Sequence, residues 1–182
     1  QRQDVRIINP YLLPSSVQVV EPSTQSISAL GRMRYRNLTG DGNYLTLTQS
    51  ERDDLIKSAP QVERMVIPLF GAQEFIKGQQ RYCLWIDDED LEEALRNDLI
   101  RARIDKVREV RASSSDPSYN ALVGRPHQFR DRNLAKNLTI LVPTVSSEGR
   151  EFLPTAVFPG RTGTTNQAYA LYDAPLWSMA LI

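Results

Sequence analysis

Residues 88–112 constrain this chain more than any other segment, because charge is sorted along them. Asp88, Glu89, Asp90, Glu92 and Glu93 crowd the first turns, while Arg101, Arg103, Lys106, Arg108 and Arg111 crowd the last. That order complements a helix dipole and predicts one long helix. Leu91, Leu95, Leu99 and Ala102 share one face, and Ile100, Ile104 and Val107 lie on an adjacent one. The apolar stripe drifts, so the helix should meet two different neighbours. A short helix is predicted at the capping box Thr48-Gln49-Ser50-Glu51, stopping before Pro60.

Apolar runs of strand length fall at residues 44–47, 65–69, 81–86, 138–142, 152–158 and 167–172. Gly71-Ala72-Gln73-Glu74-Phe75 reads as a turn making a hairpin-like step into residues 81–86. Residues 160–165 read as a flexible loop, without the lysine and spacing of a phosphate-binding loop. The predicted fold class is α+β, with mixed, largely antiparallel sheets, one long helix and one short one. Residues 1–30 read as an extended lead-in. Val5-Arg6-Ile7-Ile8 and Val17-Gln18-Val19-Val20 are its strand candidates, punctuated by Pro10, Pro14 and Pro22.

A length of 182 residues suffices for one domain with a core. No apolar run approaches the ~20 residues of a membrane span. The polar start without Met and the uncapped apolar end, residues 176–182, suggest a piece of a longer protein, truncated at its C-terminus. Cys83, the single cysteine, cannot form an internal disulfide; it fits a small buried residue and a reducing cytoplasm.

The 22 basic and 22 acidic residues cancel, which taken alone argues against nucleic-acid binding. Their distribution does not. Seven acids sit within residues 87–98, and the rest of the chain carries a net charge of +6. Residues 99–150 hold ten bases against five acids. The basic side is 18 arginines to 4 lysines, a bias toward the planar fork that suits phosphates and guanine edges.

Ser146-Ser147-Glu148-Gly149-Arg150 follows the apolar run 138–142. Glu148 and Arg150 are two apart, so on an extended backbone they leave one face together. Such a pair can address one C·G base pair. The carboxylate accepts from the cytosine amino group, and the guanidinium donates to guanine O6 and N7. The plainer alternative is an exposed ion pair worth about 0–1 kcal/mol. Arg111, Arg125, Arg130 and Ser113, Ser114 and Ser115 are candidates for phosphate or neighbouring-base contacts, as are Ser146 and Ser147. For residues 101–115, a salt-bridged scaffold helix is the alternative.

A catalytic set is hard to assemble. His127 is the only histidine, no nucleophile elbow exists, and one histidine with one cysteine makes no usual zinc site. Asn9-Pro10-Tyr11 faintly echoes an adenine-methyltransferase loop, but it lacks the second proline and a preceding glycine-rich turn.

Several motifs, in order, resemble the target recognition domain of MmeI-like type II restriction–modification enzymes. They are Leu45-Thr46-Leu47-Thr48 with Glu51, Pro60, Gly71-Ala72-Gln73-Glu74-Phe75-Ile76, Arg81-Tyr82-Cys83-Leu84-Trp85, Pro126 with Phe129, Val142-Pro143 and Ser146-Ser147-Glu148-Gly149-Arg150. The resemblance runs from about Ile8 to the C-terminus. Gly149 departs from it, standing where the family usually has an arginine; Arg34-Tyr35-Arg36-Asn37 departs too. The resemblance implies a parent polypeptide joining an endonuclease, an adenine methyltransferase and this reader. Residues 1–30 would link to the methyltransferase domain, and residues 31–182 would be the recognition domain. It implies double-stranded DNA as partner and base readout by Glu148 and Arg150. S-adenosylmethionine and magnesium would serve the parent, with no cofactor in this segment. The alternative is a protein–protein docking module without base readout.

Overall fold

The computed structural model describes residues 31–35, 37, 39–147, 149–150 and 152–182. The expected strands of residues 1–30, the Asn9-Pro10-Tyr11 motif and Glu148 lie outside them.

Two four-stranded sheets organise the described residues. The first has the order β2-β4-β3-β7, from β2 (Thr46–Thr48), β3 (Val66–Phe70), β4 (Arg81–Leu84) and β7 (Gly163–Thr164). Its pairs are antiparallel except β3 with β7. The second has the order β1-β8-β5-β6, from β1 (Arg34–Tyr35), β5 (Leu138–Pro143), β6 (Ala156–Pro159) and β8 (Ala168–Tyr172), all antiparallel. Mixed, largely antiparallel sheets with helices make this an α+β fold.

The main core fills the space between the first sheet and its helices. Leu45, Leu47, Met65, Ile67, Leu69, Cys83 and Leu84 meet Ile100, Ile104, Val107 and Phe129 there. Each such aliphatic side chain contributes about 1.5–3 kcal/mol on burial. A smaller cluster of Ile140, Leu171 and Ala174 lies on the second sheet, with Met179 of the 3₁₀ turn Leu176–Leu181 packed on it.

Helix α1 (Gln49–Ser58) starts where the capping box predicts: Thr48 Oγ1 accepts from the Glu51 amide, and Glu51 Oε2 accepts from the Thr48 amide. The predicted single helix 88–112 is instead three pieces. A 3₁₀ turn Asp88–Asp90 leads into α3 (Leu91–Arg96), and α4 (Asp98–Ala112) follows. Asn97 makes the break, adopting an extended conformation while its side chain accepts from the Ile100 amide as an N-cap. The break resets the helical phase. It points Ile100, Ile104 and Val107 inward and leaves Leu99 59% exposed, which resolves the drifting stripe.

The acids of 87–98 are paired across the chain as well as along it. Asp90 and Glu93 both hold Arg64, and Asp87 holds Arg132. Two further expectations are corrected. Residues 71–75 are not a simple turn but open α2 (Ala72–Lys77), whose Glu74 Oε2 accepts from the Gly71 amide at 2.8 Å. Residues 160–165 are not merely a flexible loop: Thr162 to Thr165 are buried, and β7 lies within them.

Arg111 closes the C-terminal end of α4. Its side chain is fully buried, and its five N–H groups all donate to backbone carbonyls. Nε donates to Gly40, one terminal nitrogen to Leu122 and Arg125, and the other to Thr39 and Gln128, at 2.6–3.2 Å. Gly40 is required on the receiving side. It has φ +54°, and a Cβ there would lie 2.2 Å from the Tyr119 ring. Replacing Arg111 with Met strands five carbonyls, and we expect a loss of about 3–5 kcal/mol in urea unfolding. Arg111→Lys, with three donors in place of a rigid fork, should recover less than half of that.

Candidate nucleic-acid interface

The central strand β5 leaves the sheet at Pro143, which pairs with Ala168. Thr144 fixes the exit, donating to the Gln167 carbonyl from both its amide and Oγ1 (3.1 and 3.0 Å). The chain returns at Ala156, opposite Leu141. The described residues between them form an arm joining β5 to β6, rooted at one end against β8 and at the other on β5. Val145, Ser146, Ser147, Gly149, Arg150, Phe152 and Leu153 are all exposed on it. Thr155 Oγ1 donates to the Leu153 carbonyl at 3.2 Å, stiffening the return.

The Arg150 amide donates to the Ser147 carbonyl at 3.1 Å. A bond that short in sequence is not made along a strand, so Ser147 and Arg150 depart from the extended backbone expected from the sequence. Ser146, Ser147 and Arg150 all sit on the arm, and among the described residues the Arg150 guanidinium meets no carboxylate. Most other arginines are engaged: Arg103 with Glu51, Arg108 with Asp105, Arg81 with Glu74 and Arg101 with Asp98.

The remaining candidates lie at or near the C-terminal end of α4. Arg111 is corrected outright: with every donor used and no exposed surface, it is a strut and offers nothing to a phosphate. Ser113 Oγ donates to the Val110 carbonyl, Ser114 Oγ accepts from the Asp116 amide, and Ser115 is exposed. These serines line an open cleft of about 510 Å³ with Gly40 and Tyr119. They follow a helix C-terminus, the negative end of the dipole. Asp116 adds a carboxylate held below its usual range chiefly by the Ser118 amide. Both effects oppose a phosphate there. Arg125 donates to the Arg130 carbonyl at 3.0 Å, bracing its own loop, and Arg130 Nε lies 3.7 Å from Asp131. In α4 the ion pairs follow the scaffold alternative.

Sequence reasoning missed Phe152, placing it at the start of a strand that begins only at Ala156. Gly149 and Pro154 on either side were the available signals of a loop.

His127 is buried, with Nε2 2.8 Å from Asp88 Oδ1 and Nδ1 without a partner. Burial lowers its pKa from the ordinary value, outweighing the upward pull of Asp88. Burial raises that of the Cys83 thiol, so it stays protonated. Among the described residues no three His, Cys, Asp or Glu side chains gather to hold a metal ion, and no helix is long and apolar enough to cross a membrane.

Residues 14–182 match the family described as MmeI, target recognition domain. The chain belongs to that family. A curated relative, DNA methyltransferase A of Bacillus subtilis (strain 168), is 34% identical over 175 residues, which is 96% of this chain and 20% of the relative. A solved structure of the Type IIL restriction-modification enzyme MmeI in complex with DNA superposes with a TM-score of 0.84 at 30% identity. It covers 97% of this chain and 24% of that one. The chain thus spans about a fifth to a quarter of the length of these relatives.

Because His127 is held neutral in the fold, the unfolded chain binds more protons once pH drops below about 6.5. Its stability contribution is complete above that pH and is lost on descent toward the depressed native value. We expect His127→Gln to flatten this part of the pH dependence of the unfolding free energy. An unchanged slope between pH 7 and 5 would contradict it.

Proposed function

We propose that this chain is the DNA-reading module of a DNA adenine methyltransferase polypeptide and that its 144–155 arm carries the base-reading groups. The observation that supports this most is the likeness over 97% of the chain to an enzyme solved on DNA. Arg150, exposed on the arm and free of described carboxylates, donates two hydrogen bonds to guanine O6 and N7. Glu148 accepts from the paired cytosine, and Ser146 and Ser147 hold flanking phosphates or bases. The bond from the Arg150 amide to the Ser147 carbonyl takes the place of strand geometry in presenting Arg150.

The module works with the rest of its polypeptide. Residues 1–30 link to a methyltransferase domain, and residues 31–182 position the duplex for it. S-adenosylmethionine supplies the methyl group, and it is held with any magnesium outside this chain. A cytoplasmic setting fits a single buried thiol and a DNA substrate.

A docking role is the second reading, favoured by Leu176 and Trp177, each 58% exposed. Salt separates the two, since counterion release gives DNA binding a steep slope in log affinity against log salt. In competition binding by the intact polypeptide, we expect Arg150→Ala to lose about 1–3 kcal/mol on the preferred site and to relax discrimination at one base pair. Equal loss on all sequences would make Arg150 a phosphate contact.

A further inference from the structure

Phe152 is the most exposed large apolar side chain among the described residues, at 78%. It lies two positions beyond Arg150 on the same arm and is followed by exposed Leu153. Neither hydrophobic cluster includes it, and no described ring packs on it. The arm is anchored at both ends, by the Leu141–Ala156 pairing and by the Thr144 bonds to Gln167. A planar ring is therefore held away from the core, on the same arm as a guanidinium and two serines. A partner that accepts both an aromatic face and a guanidinium fork is a base stack with its adjoining groove edges.

We propose that Phe152 is a stacking wedge that enters the duplex beside the base pair read by Arg150. There it fills the space left when the base to be methylated turns out of the helix. This rests on the DNA-reading function proposed above and adds a positioning residue to it. Extrahelical bases leave a gap as thick as one ring, and unstacking them is costly. An apolar wedge on an arm anchored at both ends replaces the lost stacking. Arg150 sets where the wedge enters, and Phe152 holds the strand open. No bond is made or broken by Phe152.

The test uses the intact polypeptide and a duplex carrying the motif methylated in cells that express it. 2-Aminopurine replaces the target adenine, because its fluorescence rises on leaving the stack. We expect the rise to fall at least severalfold in Phe152→Ala and to be kept in Phe152→Trp. Affinity for the intact duplex should drop roughly 10-fold in Phe152→Ala, on the scale of one lost stacking contact. On a duplex already abasic at the target, the loss should persist at a similar size, since the gap that the ring fills is already there. A full fluorescence rise in Phe152→Ala, or an affinity loss that disappears on the abasic duplex, would overturn the wedge while leaving sequence reading intact. If the unaltered polypeptide showed no preference for the motif, the DNA-reading function would fail and the wedge with it.

Discussion

The guanidinium of Arg111 is the interaction on which the rest of the described fold depends. A buried cation without a counter-ion in contact is expensive, and here five carbonyl dipoles offset the cost. They come from two stretches far apart in sequence, 39–40 and 122–128, both drawn to the C-terminal end of α4. The first stretch leads into Leu45 and β2, the second into Phe129 of the main core. One side chain thus ties the helix to the start of one sheet and to the loop that precedes the other. Carbonyls at a helix C-terminus already favour a cation, so the site suits arginine twice over.

Much of this was legible in the sequence where local chemistry decides. The capping box at Thr48 and Glu51 gave α1 its start, and the apolar run at 138–142 became the buried central strand β5. The break at Asn97 was less visible, because charge order favours a continuous helix and only the drifting stripe hinted otherwise. The role of Arg111 could not be read, since a basic residue in a basic helix end looks the same whether it faces water or carbonyls. Its partners lie as many as 72 residues away, beyond any local pattern. The bond from the Arg150 amide to the Ser147 carbonyl was hidden for a related reason: a spacing of two fits a strand, and only Gly149 spoke against it.

The structure divides its arginines by task. Those of α4 and the 125–132 loop stabilise the scaffold through acids and carbonyls, and they cancel much of the apparent basic excess. Arg150 stands apart from them on an arm whose two roots are fixed. A rigid scaffold with one projecting arm suits a reader whose specificity is a matter of a few side chains, since the scaffold need not change when they do. On the proposed function, that separation lets a chain with no net charge serve DNA. The phosphates need not be met by this module alone when it spans about a fifth of a longer relative.

The most direct measurement is the genomic methylation motif of cells expressing the intact polypeptide, unaltered and with Glu148→Lys plus Arg150→Asp. The account expects methylation to persist with the motif changed at a single base pair, a C·G pair giving way to G·C. Methylation that persists with the motif unchanged would contradict it.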